Sequence, residues 1–145
     1  MNRRISTLIL AICGCCTAAP ERAVLTGTTL DCVAGTARRT AGVEVSIFPK
    51  SPQLTSLIEG VQKATDENIF YRFDKLIKFV KGTRALARVK SDSNGAFKVE
   101  IPALGQVIVF GYMETEDNPF YWMHSDVDIA HRSSVTVVLD YCKQR

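Results

Sequence analysis

Five cysteines and two histidines are the side chains of this 145-residue chain best suited to nucleophilic or metal chemistry. His124 and His131 are too few for a histidine metal cluster, and neither Cys32 nor Cys142 belongs to a CxxC pair. His124, Ser125 and Asp126 hold the residue types of a hydrolytic triad. Neighbours on a strand point to opposite faces, however, so these three cannot form one chain of nucleophile, base and orienter. Asp92 and Asn94 before Gly95 open like a calcium loop, but the position of the closing glutamate is Ala103, so the segment reads as a turn. No catalytic residue, metal ligand or cofactor is assigned. The remaining candidates are aromatic. Tyr112, Phe120, Tyr121 and Trp122 form one concentration, which as exposed rings would suit a peptide or sugar and as buried rings would be core. Alternation sets Tyr121 and Met123 on one face of a strand and Phe120 and Trp122 on the other. At least one pair is therefore expected to be partly exposed or covered by helices.

The cysteines divide into two groups. Cys13, Cys15 and Cys16 follow a basic Met1-Asn2-Arg3-Arg4 and an apolar run from Ile5, about ten residues long. That run is too short for the roughly 20 residues of a membrane-spanning helix and matches the core of a secretory signal. Ile12-Cys13-Gly14-Cys15 resembles a bacterial lipobox, with aliphatic Ile12, small Gly14 and the cysteine that receives lipid. The resemblance implies a signal over residues 1–14, acylation of Cys15, and a membrane as partner through the lipid, since two or more acyl chains anchor stably. Cys13 is an uncommon residue at its place in the pattern. Simple secretion after cleavage near Ala18 is the alternative, and a buried N-terminal helix is a further one. Cys16 after the lipidated position, rather than Asp, leans toward the outer membrane in the family pattern. Cys32 and Cys142 remain for the fold. In an oxidising compartment they read as a disulfide; two buried free thiols are the other reading.

Loss of Arg3 and Arg4 with the signal lowers the formal charge of +3 by two. The mature domain is thus near neutral, no basic stripe is interleaved with aromatics, and a nucleic-acid partner is not expected.

The elements that must position these groups follow from periodicity. Residues 15–22 form a tether ahead of a single domain over 23–145. Strand-like segments run over 24–30, 43–48, 83–90, 96–101, 107–112, 120–129 and 135–141. Residues 34–42 have loop composition. Ser51-Pro52 is a helix start, and Leu54, Leu57, Ile58 and Val61 recur at helical spacing. Ile69, Phe70, Phe73, Leu76, Ile77 and Val80 repeat the pattern up to Gly82, and this face is expected to cover a sheet. Asn94-Gly95 and Pro102–Gly105 are turns, and Val107–Tyr112 is apolar enough for the centre of a sandwich. The expected fold is mainly β: a seven-stranded sandwich with a helical insert at about 51–82 after the second strand.

Leu25–Asp31, Ala41-Gly42-Val43-Glu44-Val45, Ser91–Val99 with its Asp92, Gly95 and Phe97, and Ile101–Val107 are motifs in the order of a known family. Over roughly residues 24–141 the chain resembles the carboxypeptidase regulatory-like, or transthyretin-like (prealbumin-like), domains. The resemblance implies a sandwich and no peptidase activity. A related enzyme hydrolyses 5-hydroxyisourate, but its terminal Tyr-Arg-Gly-Ser is replaced here by Asp140–Arg145, and its opening-strand histidine has no counterpart. The expected protein is a non-enzymatic envelope lipoprotein, extracytoplasmic, with a binding or structural role toward a protein or glycan. An auxiliary subunit of a peptidase or surface complex is the alternative; a small transthyretin-related hydrolase is a third reading.

Overall fold

The computed structural model describes residues 21–143. The signal expected over residues 1–14, the lipid site expected at Cys15 and the tether up to residue 20 therefore lie outside the described residues. Alternation over 22–30 buries Ala23, Leu25, Gly27 and Thr29 and turns Val24, Thr26, Thr28 and Leu30 outward. This is β1 (Arg22–Val33), the spine of the first sheet. A two-residue turn at Ala34-Gly35, both at positive φ (50° and 77°), folds it back into β2 (Thr36–Arg39). Such a turn matches the twist of a hairpin. The loop expected over 34–42 thus contains a strand. Its four residues are all exposed, so no apolar alternation betrays it, and Ala34 is not a residue that advertises left-handed backbone.

After β3 (Glu44–Pro49) the chain makes two helices, α1 (Pro52–Gln62) and α2 (Ile69–Gly82). Ser51 Oγ accepts the Leu54 amide at 3.2 Å and Pro52 opens α1, the capping that the sequence announces. At the other end, Gly82 is still helical and Thr83 turns extended. The guanidinium of Arg88 donates to the carbonyls of Val80 (2.6 Å) and Thr83 (2.9 Å), satisfying acceptors that a helix end leaves open. Five strands follow: β4 (Ala87–Lys90), β5 (Ala96–Pro102), β6 (Gln106–Tyr112), β7 (Trp122–Asp128) and β8 (Ser134–Asp140). A 3-10 turn over Tyr141–Lys143 ends the described chain.

In the first sheet β1 pairs with β8 in parallel along one edge, over Val24–Leu30. Along the other edge it pairs antiparallel with β5 over Arg22–Thr28, then with β2 over Leu30–Val33. Thr29 sits at that handover. Its amide donates to Gly95 O (2.8 Å), its hydroxyl donates toward Thr40 O (2.6 Å) and Gly95 O (3.1 Å), and its carbonyl accepts from the Thr40 amide (3.0 Å). A fully buried threonine is thereby satisfied. The second sheet has the order β4-β3-β6-β7, all antiparallel.

The two sheets enclose one core, including Leu25, Val45, Ile47, Val109, Met123 and Leu139. A second core lies on the far face of the second sheet. There Leu54, Ile58 and Val61 of α1 and Leu76 and Val80 of α2 cover Phe48, Ile108, Phe110, Tyr112 and Trp122. Each such aliphatic side chain contributes about 1.5–3 kcal/mol over its exposed state. Buried on both faces, β6 is apolar at every position from Val107 to Tyr112. Three layers result, sheet on sheet with helices outside: the expected mainly β sandwich with a helical insert. The strand count rises to eight because of β2, which also places the helices after the third strand rather than the second.

Candidate functional site

The four aromatic candidates are distributed over two cores. Tyr121 is 3% exposed and faces the space between the sheets, where its ring stacks on Tyr141 at 4.5 Å. Tyr112 and Trp122, each 7% exposed, face the helices, and Trp122 stacks on Phe110 at 5.8 Å. Phe120, half-buried, meets the edges of Phe70 (4.8 Å) and Phe73 (5.3 Å) of α2. The rings therefore do not form the single open patch expected of a binding surface. Tyr121, just before β7, and Trp122, its first residue, point by alternation to opposite faces of the second sheet, and the helices cover the others. The covering of one aromatic pair by helices was anticipated from that same alternation.

The other candidates also stay apart. His124 stacks on Trp122 at 5.7 Å. Asp126 is engaged by Lys50 Nζ at 2.9 Å. His131, at φ 55°, is exposed in the turn before β8 with Nδ1 3.7 Å from Glu21. Asp92 Oδ1 accepts the amides of Asn94 (2.8 Å) and Ala96 (2.9 Å), the Asx-type turn expected of it. Among the described residues no group of three His, Cys, Asp or Glu is placed to hold a metal ion, and no helix is long and apolar enough to cross a membrane. Cys32 and Cys142 are joined as a disulfide with Cα atoms 4.8 Å apart. It ties the end of the chain to β1 beside the hairpin.

Two of the concave regions set an aromatic ring beside charged side chains. One is a groove of about 470 Å³ between the helices, lined by Ser56, Leu57, Gly60, Asn68, Tyr71 and Arg72. Arg72 Nη1 donates to Gly60 O at 3.3 Å, and Lys75 Nζ lies 4.4 Å from the centre of the Tyr71 ring. Tyr71 (63% exposed) and its neighbour Phe70 (66%) are the largest open aromatic surface among the described residues. Sequence reasoning placed Phe70 in the core, because 70, 73, 77 and 80 is as good a helical stripe as 69, 73, 76 and 80. The signal that could have found this surface was the adjacency of Phe70 and Tyr71, since one helix face cannot bury both of two consecutive residues equally.

The second region is a cleft of about 370 Å³ at the β6 C-terminal end, lined by Glu44, Lys81, Lys90, Tyr112 and Glu114. Lys81 Nζ bonds Glu114 at 2.8 Å and lies 5.5 Å from the Tyr112 ring centre. That bond holds the Glu114 carboxyl below, and the Lys81 ammonium above, their ordinary values. Burial, then the neighbouring Glu44 carboxylate, pushes the Tyr112 phenol up. The cleft is polar, with its charges already compensated.

No family model matches the chain, and no curated protein matches it. Among solved structures it is similar to a candidate carbohydrate-binding protein of Pseudomonas aeruginosa, at 13% identity and a TM-score of 0.55, over 86% of this chain and 91% of that one. It is also similar to the Bacillus anthracis TIE protein (12% identity, TM-score 0.47, 81% of this chain). A minor pilin of Streptococcus agalactiae is comparable (13% identity, TM-score 0.47, 82% of this chain). The chain spans 16% and 43% of the lengths of these last two. At such identities the likeness to the Pseudomonas structure speaks for the fold alone.

Proposed function

We propose that this chain is a non-enzymatic, extracytoplasmic sandwich domain, held at a bacterial membrane by a lipid on Cys15, with a binding or structural role. The Cys32–Cys142 disulfide carries the reading. A disulfide between residues so distant in sequence persists in an oxidising compartment and is rare in the cytosol. This agrees with the export signal and the lipobox resemblance of Ile12–Cys15. A role without catalysis is supported by the dispersal of the chemically capable side chains: His124 against Trp122, Asp126 on Lys50, His131 in a distant turn. The carboxypeptidase regulatory-like, transthyretin-like kinship suggested by the motifs points the same way.

The surface best suited to a ligand is the helical groove with Tyr71, Asn68 and Arg72, which sets an open ring beside hydrogen-bonding groups, with exposed Phe70 adjoining it in sequence. Such a surface fits a glycan or a protein segment; Tyr112 and Trp122 lie buried beneath the helices and Tyr121 lies between the sheets, so none of the three touches the ligand. Metabolic labelling with a fatty-acid analogue tests the anchor: label and membrane fractionation are expected in the wild type and lost in Cys15→Ser. Label that persists in Cys15→Ser refutes the lipid site. Retention on envelope polysaccharide or on one stoichiometric protein partner, lost in Tyr71→Ala, tests the binding surface and separates the glycan reading from the auxiliary-subunit reading.

A further inference from the structure

The chain enters the sandwich at one particular end. Glu21 O accepts the amide of Ala103 at 2.9 Å, and Val24 donates to Ser133 O at 2.9 Å. Arg22 lies opposite Pro102 in the β1–β5 register. Ile129 donates to Gly105 O at 2.9 Å, so the turns 102–105 and 129–133 are fastened to each other and to the entering chain. The opposite end holds the β1–β2 hairpin and the cleft of Glu44, Tyr112 and Glu114.

Leu104 stands in the first of these turns. It is 61% exposed, an open aliphatic side chain where a turn usually carries a polar one. Arg22, Arg132 and His131 share this end with Glu21 and Glu100, and Arg22 pairs with Glu100 at 3.0 Å. Asp128 lies at this end as well, so positive and negative side chains are interspersed and the end carries no block of like charge against the headgroups.

Cys15 precedes Glu21 by six residues, a separation that even a fully extended chain spans in only about 22 Å. An acyl chain on Cys15 would be inserted in the bilayer. We infer that the end built from turns 102–105 and 129–133 rests on the lipid surface, with Leu104 in the headgroup–acyl boundary, and that the opposite end faces away. This rests on the acylation of Cys15 proposed above. Phe70 packs on Phe120, which precedes the Trp122–Tyr112 pair at the opposite end of the second sheet, so the Phe70–Tyr71 surface stays clear of the bilayer and open to a ligand.

Mature acylated protein in phosphatidylethanolamine–phosphatidylglycerol vesicles, with and without brominated acyl chains, tests the arrangement. Wild-type emission from buried Trp122 serves as the baseline. Leu104→Trp is expected to add emission that is blue-shifted and lost in brominated vesicles; Tyr71→Trp is expected to add emission that is not. An unquenched Leu104→Trp, or a quenched Tyr71→Trp, overturns the orientation. Intact mass of the same preparation reports the acyl groups. An unmodified Cys15 overturns the anchor and the orientation together, whereas an acylated Cys15 with unquenched emission from the Leu104→Trp variant overturns the orientation alone. Hydrogen exchange of the wild-type acylated protein needs no substitution. Slower exchange over 103–105 and 130–132 on vesicles than in the Cys15→Ser mature chain is expected, and equal rates count against it.

Discussion

The ring of Phe97 lies across the backbone of Gly27, its register partner between β1 and β5: a Cβ on Gly27 would stand 2.2 Å from the ring Cζ and 2.5 Å from Cε1. An aromatic packed over a strand glycine covers backbone that no side chain of its own protects. Both residues belong to the motifs that carry the family resemblance, and their contact gives the motifs a physical reason. Gly27→Ala must displace the ring, at a cost of about 1–3 kcal/mol typical of overpacking. Urea unfolding should show that loss. In the double variant Gly27→Ala/Phe97→Leu the two losses should sum to less than their separate values, since residues in contact couple. Strict additivity would place the ring elsewhere.

Gly95 is constrained more severely. Its φ is +69°, and a Cβ there would come within 2.9 Å of Thr29 O, Thr40 N and Thr40 O, all backbone atoms at the handover from β5 to β2. Gly35 has a similar φ of +77° but nothing within 4 Å. Gly35→Ala should therefore cost only the strain of the left-handed backbone, about 1 kcal/mol, whereas Gly95→Ala adds clashes that backbone cannot relieve and should cost about 3 kcal/mol or more. Denaturation midpoints compare them directly; equal effects would mean that conformation alone matters at Gly95.

The disulfide closes a loop across 110 positions of sequence. In the chain-entropy account a loop of this size is worth about 4–5 kcal/mol through restriction of the unfolded chain, and measured values are usually smaller. Reduction, or Cys142→Ser, is expected to lower the urea midpoint markedly without changing the folded circular-dichroism spectrum. Alkylation before reduction should leave Cys32 and Cys142 unmodified in the intact-mass spectrum.

Tyr121 makes stability fall at alkaline pH. Burial, with the nearby Asp31 carboxylate, pushes its phenol above the ordinary tyrosine range. The folded protein then keeps a proton that the unfolded chain releases near pH about 10, so the stabilisation is complete below that pH and declines as pH rises above it. The Tyr121 hydroxyl is enclosed near Asp31 and Thr40 without hydrogen-bonding geometry to either. Tyr121→Phe should therefore be neutral or stabilising by about 1 kcal/mol at pH 7. It should also flatten the alkaline limb of a stability–pH curve. A destabilised Tyr121→Phe at neutral pH would show that the hydroxyl is in fact bonded.

Local patterning was enough for most of the frame. Alternation in 43–48 and 96–101, the Ser51-Pro52 start of α1, the Asx turn at Asp92 and the apolar run 107–112 depend on residues close in sequence, and each reappears in the fold. The pairing of Cys32 with Cys142 was legible from compartment and scarcity. β2 was not legible, because a wholly exposed strand has no buried face to print a period on its sequence. Which of the two readings of the aromatic segment holds was not legible for a related reason: period two tells which rings share a face, and only the packing of α1 and α2 tells which face is closed. The same packing left Phe70 and Tyr71 open, although Phe70 fits the helical stripe. Burial is a property of what arrives from elsewhere in the chain. The strands, the turns and the start of α1 follow from neighbouring residues, whereas the handover at Thr29, the space that Gly27 leaves for Phe97 and the end at which Leu104 stands exist only once distant segments meet.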